Sequence, residues 1–126
     1  MPSLKRTKFG IGAFLAGIYD VKNNTFLTVA KIGTGLTDEE WIELKKRSNK
    51  NIIKQKPKSY IINDQIKSDV WIEPSIVVEI KADEITKSPL HSSGLALRFP
   101  RLERFRDDKL PADTTSLEEL KKLYIL

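Results

Sequence analysis

Apolar residues in this chain fall into short runs separated by turn-forming residues, a pattern that predicts strands more often than helices. The first run, Phe9 to Asp20, is broken by Gly10, Gly12 and Gly17. Glycine is costly inside a strand, so these three positions predict bends, bulges or close backbone approach. Asp20-Val21-Lys22-Asn23-Asn24 predicts a hairpin turn, because Asn tolerates positive φ, and Thr25 to Ile32 is the returning strand. Its alternation, with Leu27 and Val29 on one face and Phe26, Thr28 and Ala30 on the other, predicts partial cover on both sides. Gly33-Thr34-Gly35 ends that strand. Thr37 and Glu40 then stand at capping-box spacing and predict a helix running through Arg47, with Trp41, Leu44 and Ile42 as its buried stripe.

The second half continues in the same manner. Tyr60-Ile61-Ile62 reads as a short strand or a packing anchor, and Ile76 to Ala82 as a strong strand with Ile76, Val78 and Ile80 on one face. Asp83 to Pro89 is predicted to turn the chain, and Leu95 to Phe99 to form another strand. Pro100 removes a backbone donor and blocks a regular helix, so 98–109 is predicted as a short strand leading into a charged turn. Thr115 and Glu118 again have capping-box spacing, ahead of a helix with Leu117, Leu120, Leu123 and Tyr124 as its apolar face. Together these elements predict a mainly β fold, a five- or six-stranded antiparallel OB-like barrel with an inserted helix and a C-terminal helix. The strands alone leave an SH3-like barrel or a sandwich open.

Composition narrows the chemistry. A chain of 126 residues, 40% apolar and 31% charged, suits one domain with a packed core. Residues 1–8 read as a polar, basic lead-in and 9–126 as the domain. The formal charge of +5 is uneven: residues 1–60 hold 12 Lys or Arg against 5 acids, and residues 61–126 hold 10 against 12. Seven bases and no acid occupy 45–58: Lys45, Lys46, Arg47, Lys50, Lys54, Lys56 and Lys58. They form a solvated loop or a segment facing a polyanion. With no cysteine there is no disulfide scaffold and no thiol chemistry. A single histidine, His91, rules out the usual multi-His metal sites. His91 beside Ser92 and Ser93 is not by itself a triad, because adjacency in sequence does not supply the geometry. No apolar run approaches a membrane span, and the start Met-Pro-Ser-Leu-Lys-Arg lacks a signal-peptide core.

The densest chemistry lies in Arg98-Phe99-Pro100-Arg101-Leu102-Glu103-Arg104-Phe105-Arg106-Asp107-Asp108-Lys109, which holds five bases and three acids in twelve positions. Arginines at a strand end suit phosphate, since the guanidinium presents a rigid fork of donors. A solvated edge strand, charged to discourage sheet-to-sheet association, accounts for the same residues equally well.

The chain resembles the C-terminal OB-fold domain of ATP-dependent DNA ligases. The likeness rests on Gly12-Ala13-Phe14-Leu15-Ala16 with Tyr19-Asp20, and on Lys31-Ile32-Gly33-Thr34-Gly35 before the capped helix. It continues through Val78 to Pro89, Leu97-Arg98-Phe99-Pro100-Arg101, Arg104 to Lys109, and Thr114-Thr115-Ser116. In that family the segment matching 98–109 resembles nucleotidyltransferase motif VI. The resemblance implies that Arg106, Asp108 and Lys109 act in enzyme adenylation, with Arg98 and Arg104 joining Arg106 and Lys109 on nucleotide phosphates. It further implies DNA contacts from Arg101, Lys31, Lys45, Lys46 and Arg47. The implied partners are the nucleotidyltransferase domain of the same ligase and nicked double-stranded DNA, with no membrane and a cytoplasmic, nucleoid-associated setting in a prokaryote. ATP and Mg2+ are expected in the full-length enzyme, and neither on this domain alone. The Lys-x-Asp-Gly nucleophile motif is missing: Lys81-Ala82-Asp83-Glu84 lacks the glycine and is a chance match. The chain is therefore expected to be inactive alone, as an excised domain or a split-gene product. Residues 48–67 depart from the family pattern. A free-standing single-stranded nucleic-acid binder is the alternative, and a capping-type nucleotidyltransferase barrel a third, less consistent with Arg98 to Arg101 and Asp83 to Pro89.

Overall fold

The computed structural model describes residues 12–125; the start of the first expected strand, 9–11, lies outside them. Strand β1 (Phe14–Asp20) and β2 (Thr25–Ile32) form the expected antiparallel hairpin, in register from Phe14 opposite Ile32 to Asp20 opposite Thr25. A bulge falls between Ala16 and Gly17, where the glycine pattern anticipated one. The turn is closed by Asn24 at φ 55° and by the Asn23 side chain, which donates to the buried Asp20 carboxylate at 2.7 Å. Four successive β2 residues, Leu27 to Ala30, are buried, so this strand is covered on both faces.

Helix α1 (Asp38–Asn49) begins with the predicted capping box: Thr37 Oγ1 accepts from the Glu40 amide at 3.2 Å, and Glu40 Oε1 accepts from the Thr37 amide at 2.9 Å. Trp41 and Leu44 are buried, Trp41 edge-on to Phe14. Ile42 is 54% exposed and does not belong to the stripe. The helix outruns its expected end at Arg47, and the basic stretch after it is structured rather than a plain loop. Strand β3 (Ile52–Ile53) pairs antiparallel with β5 (Trp71–Ile72), and β4 (Tyr60–Ile61) pairs with β2. The β2–β4 pair is parallel, contrary to a purely antiparallel barrel. A crossover through a helix returns the chain in the direction it left, and that is what parallel pairing requires.

The larger correction concerns 78–105. Asp83 to Pro89 is not simply a turn, and the segment after Pro100 is not a charged turn. Strand β6 (Val78–Lys81) pairs with β9 (Arg101–Phe105), and β7 (Glu84–Lys87) with β8 (Leu95–Arg98). The register carries through the corner: Lys81 faces Arg101 and Glu84 faces Arg98, with the Asp83 amide donating to the Arg98 carbonyl at 2.8 Å. Two bent strands therefore form one antiparallel ribbon, kinked at Ala82-Asp83 on one side and Phe99-Pro100 on the other. Its connecting loop, 88–94, is pinned to β2. The buried His91 Nδ1 lies 3.0 Å from Thr28 Oγ1, and Ser92 Oγ accepts from the Thr28 amide at 2.9 Å. His91 thus holds a loop, and burial pushes its imidazole pKa down.

A single 3-10 turn (Pro111–Asp113) precedes helix α2 (Leu117–Ile125). Its cap sits one residue later than expected: Ser116 Oγ accepts from the Glu119 amide at 3.1 Å, and Glu119 Oε1 from the Ser116 amide at 2.9 Å. Leu120 is buried in the main core with Ile18, Leu27, Val29, Ala30, Ile32 and Leu95; Leu117 and Tyr124 flank it, while Leu123 is 56% exposed. The fold is mainly β with two helices, as expected. Among the described residues, however, the strands form one three-stranded and three two-stranded ladders rather than one closed barrel. An open cleft of about 370 Å3 lies between β1 and the segment 67–77.

The connector after β2 packs directly on the start of β9. Gly35 has φ +86°, and a Cβ there would come within 2.9 Å of Arg101 Cα. Gly94 also has positive φ, +81°, but faces open space. Gly35→Ala should therefore cost about 3 kcal/mol, from backbone strain plus overpacking, and Gly94→Ala about 1 kcal/mol, from backbone strain alone. Urea unfolding of the two variants measures the difference; equal losses would mean that β9 gives way freely.

Candidate functional site

The charged segment is laid out by β9, which places its residues at two separate ends. At the first end is the kink. Phe99 holds φ 54°, unusual for a bulky residue, and its ring is 62% exposed with the Arg98 guanidinium 5.2 Å from its centroid. Arg101 Nη1 donates to Asp83 Oδ1 at 3.0 Å and to the Phe99 carbonyl at 2.8 Å, tying the two sides of the kink together. Sequence reasoning took Phe99 as an ordinary strand residue, and nothing local distinguished it.

At the second end, β9 stops at the half-buried Phe105, and the Arg106 amide donates to the Val77 carbonyl at 2.8 Å. The Arg106 guanidinium is almost surrounded by carboxylates. Nε and Nη2 donate to the two Asp108 oxygens, each at 2.9 Å, and Nη1 donates to Glu79 Oε1 at 3.0 Å. Arg104 Nε shares Glu79 at 3.5 Å. The Lys109 amide closes the turn on the Arg106 carbonyl at 3.4 Å, and its side chain is exposed. Asp107 points the opposite way and receives two bonds from Arg47.

Electrostatics follow from these contacts. The Arg106 fork, with a smaller contribution from a backbone amide, holds the Asp108 carboxyl down at about 2. Asp108 and then Glu79 hold Arg106 further above its ordinary value. Arg47 lowers Asp107 in the same way. A guanidinium fork pairs with carboxylate and phosphate oxygens through the same donors, and here Asp108 and Glu79 occupy them.

Arg104, Arg106, Asp108 and Lys109 are thus gathered at one end of β9. Arg98 and Arg101 stand at the other end, separated by a strand roughly 15 Å long, so Arg98 does not join the loop cluster expected of it. Lys31 is exposed on β2, and Lys45 and Lys46 are exposed on α1, whereas Arg47 is half-buried against the loop. Glu79 was missed as a partner of Arg106; its place on the polar face of the 76–82 strand was the one available signal. Among the described residues no group of three or more His, Cys, Asp or Glu is arranged to hold a metal. No helix there is long and apolar enough to cross a membrane.

Fold and loop together define an OB-fold domain with an arginine-rich loop after its last strand, and comparison with known proteins gives its family. The family model described as ATP dependent DNA ligase C terminal region matches residues 7–109. The chain is 43% identical to a probable DNA ligase of Dictyoglomus thermophilum and 46% identical to one of Dictyoglomus turgidum, each over 94% of this chain and 22% of the relative. It is 43% identical to a DNA ligase of Thermoplasma volcanium, over 90% of this chain and 21% of that one. Among solved structures, a mycobacterial DNA ligase D complexed with ATP and MES superposes with TM-score 0.65 at 24% identity, covering 86% of this chain and 34% of that one. The ligase domain of LigD from M. tuberculosis gives 0.63 at 24%, covering 82% and 32%; at these identities the likeness establishes the fold. The chain belongs to the family of ATP-dependent DNA ligase C-terminal regions, and it spans about a fifth (22%) of the length of the curated relatives it matches.

The Asp108 pairing has a readable pH signature. Its folded pKa lies below the ordinary 3.8, so the bond is fully present above that value and is lost as pH falls through about 2. Arg106→Ala should return the Asp108 carboxyl towards 3.8 in a carbon-detected NMR titration. A carboxyl that stays low would move the cause to the backbone amide.

Proposed function

We propose that this chain is the closing domain of an ATP-dependent DNA ligase, which brings Arg106 and Lys109 onto the triphosphate of ATP bound by a separate nucleotidyltransferase domain. In enzyme adenylation a lysine of that partner domain attacks the α-phosphorus. A phosphoramidate P–N bond forms as the neutral amine gives up a proton to solvent, the bond to the oxygen bridging the α- and β-phosphorus breaks, and pyrophosphate leaves with the electron pair. Negative charge grows on the leaving phosphates, so cations aimed there lower the barrier. The observation that carries this reading is the Arg106 fork, held on three carboxylate oxygens and built to exchange some of them for phosphate. Asp108 keeps the guanidinium oriented during that exchange. In this reading ATP and Mg2+ belong to the full-length enzyme.

After adenylation the domain turns and grips nicked duplex DNA by phosphate contacts. The exposed Lys31, Lys45 and Lys46 suit that role, as do Arg98 and Arg101 at the kink. A single-strand binder is less favoured by the aromatic arrangement. Tyr19, Phe26, Tyr60 and Trp71 contact one another in a row, with centroids 5.1 to 6.4 Å apart, and each is half-buried where stacked bases call for open rings. A role on DNA fits a cytoplasmic, nucleoid-associated setting in a prokaryote.

The test supplies this chain in trans to an ATP-dependent ligase lacking its C-terminal domain and follows transfer of labelled AMP to protein. Addition should restore transfer, and Arg106→Ala or Lys109→Ala should lower it about a hundredfold. Restoration indifferent to both substitutions would overturn the assignment.

A further inference from the structure

The helix inserted between β2 and β3 ends on the loop after β9, through one residue that reaches 60 positions along the chain. Arg47 Nη1 and Nη2 donate to the two Asp107 oxygens at 2.6 and 3.3 Å, and its Nε donates to Glu43 Oε2 at 2.6 Å. Its guanidinium carbon lies 4.3 Å from the centre of the Phe105 ring. One side chain thus touches the last strand residue before Arg106 and the first residue after it. One face of the guanidinium and its hydrogen-bonding edge are committed inside the fold, with the Arg47 side chain 26% exposed. That arrangement is poorly suited to a DNA phosphate contact and well suited to a brace.

We propose that Arg47 is a positioning residue for adenylation: by holding Asp107 and Phe105, it fixes the direction in which Arg106 and Lys109 leave β9. This rests on the reading of Arg106 and Lys109 as triphosphate ligands. The physical case is a matter of direction rather than of strength. Asp107 is 76% exposed, and pairs this open to water add little to folding. Yet the pair sits one residue from Arg106 and two from Lys109, where a shift of about 1 Å weakens a catalytic contact severely. Lysine cannot replace the arginine here, because an ammonium lacks the fork that serves Glu43 and Asp107 at once and does not stack on the ring in the same way.

The test uses the chain in trans with the truncated ligase, in single-turnover AMP transfer at saturating chain and ATP. Arg47→Ala and Asp107→Ala should each slow the rate constant roughly tenfold or more, with the reaction amplitude and the melting temperature of the chain nearly unchanged. The double variant should be no slower than either single one, because both remove the same brace. Arg47→Lys should remain slow, and affinity for nicked duplex should be unaltered in all of them. Loss of amplitude in step with loss of folded protein would reduce Arg47 to a structural role and overturn the inference. So would multiplied effects in the double variant, or an unchanged rate with weakened DNA binding. If Arg106→Ala and Lys109→Ala are slow while Arg47→Ala is not, only this inference falls. If those two are also without effect, the adenylation reading falls with it.

Discussion

The kinked ribbon of β6–β7 against β8–β9 is the constraint on which the rest of the chemistry depends. Its register is unbroken through the corner, so Arg101 and the loop beyond Phe105 are located by pairing and not by loop conformation. Bending two paired strands together without losing register requires relief on both sides. Here Ala82-Asp83 and Phe99-Pro100 supply it, and Phe99 takes a left-handed backbone to do so. The corner is then fastened by Arg101 to Asp83 and covered by Gly35, whose lack of a Cβ lets the β2 connector approach. The core under β2 carries the ribbon's other end through His91 and Ser92.

On that ribbon the charged groups work by geometry more than by strength. Every guanidinium at the loop is partly open to water, and exposed ion pairs contribute about 0 to 1 kcal/mol each. They cannot be what holds the fold together; buried Leu102, Val77 and the β2 core do that. What the carboxylates do is limit rotamers. Arg106, bonded to Asp108 and Glu79, has few conformations left, and on the proposed reading a phosphate that replaced one carboxylate would meet a side chain already pointed. Asp107 and Asp108 divide the work, one bonded to the helix and the other to the arginine, and so face opposite ways from adjacent positions.

How much of this was legible in the sequence depended on distance along the chain. The Thr37–Glu40 capping box, the β1–β2 hairpin and the bulge near Gly17 were all readable, because each is decided by residues within a few positions. The α2 cap was misplaced by one because Thr115 and Ser116 are followed three positions later by Glu118 and Glu119, two equivalent boxes; contact of the preceding residue, Thr115, with Tyr19 chooses between them. Glu84 to Lys87 and Arg101 to Phe105 were misread as turns since their local composition is charged. Their pairing with Leu95 to Arg98 and Val78 to Lys81 overrides that composition, as tertiary context does for strands. Loop residues Arg106, Asp108 and Lys109 were identified by resemblance to a motif, whereas Glu79 and Arg47, which touch that loop from other elements, carried no local mark.

The two ends of β9 also set a limit on what this domain can do at one time. Arg98, Phe99 and Arg101 are fixed to the kink, Arg106 and Lys109 to the loop, and the strand between them, bulged at Glu103 but paired with β6 on either side of the bulge, holds the two ends apart. Both groups cannot converge on one phosphate. If the loop serves the triphosphate, the kink must serve something else or must serve at another time, because a rigid strand cannot bring its ends together. On the proposed reading, a domain that meets a nucleotide in one orientation and a duplex in another resolves that geometry: each end of β9 would have its own partner, and rotation of the whole domain, not rearrangement within it, would exchange one for the other.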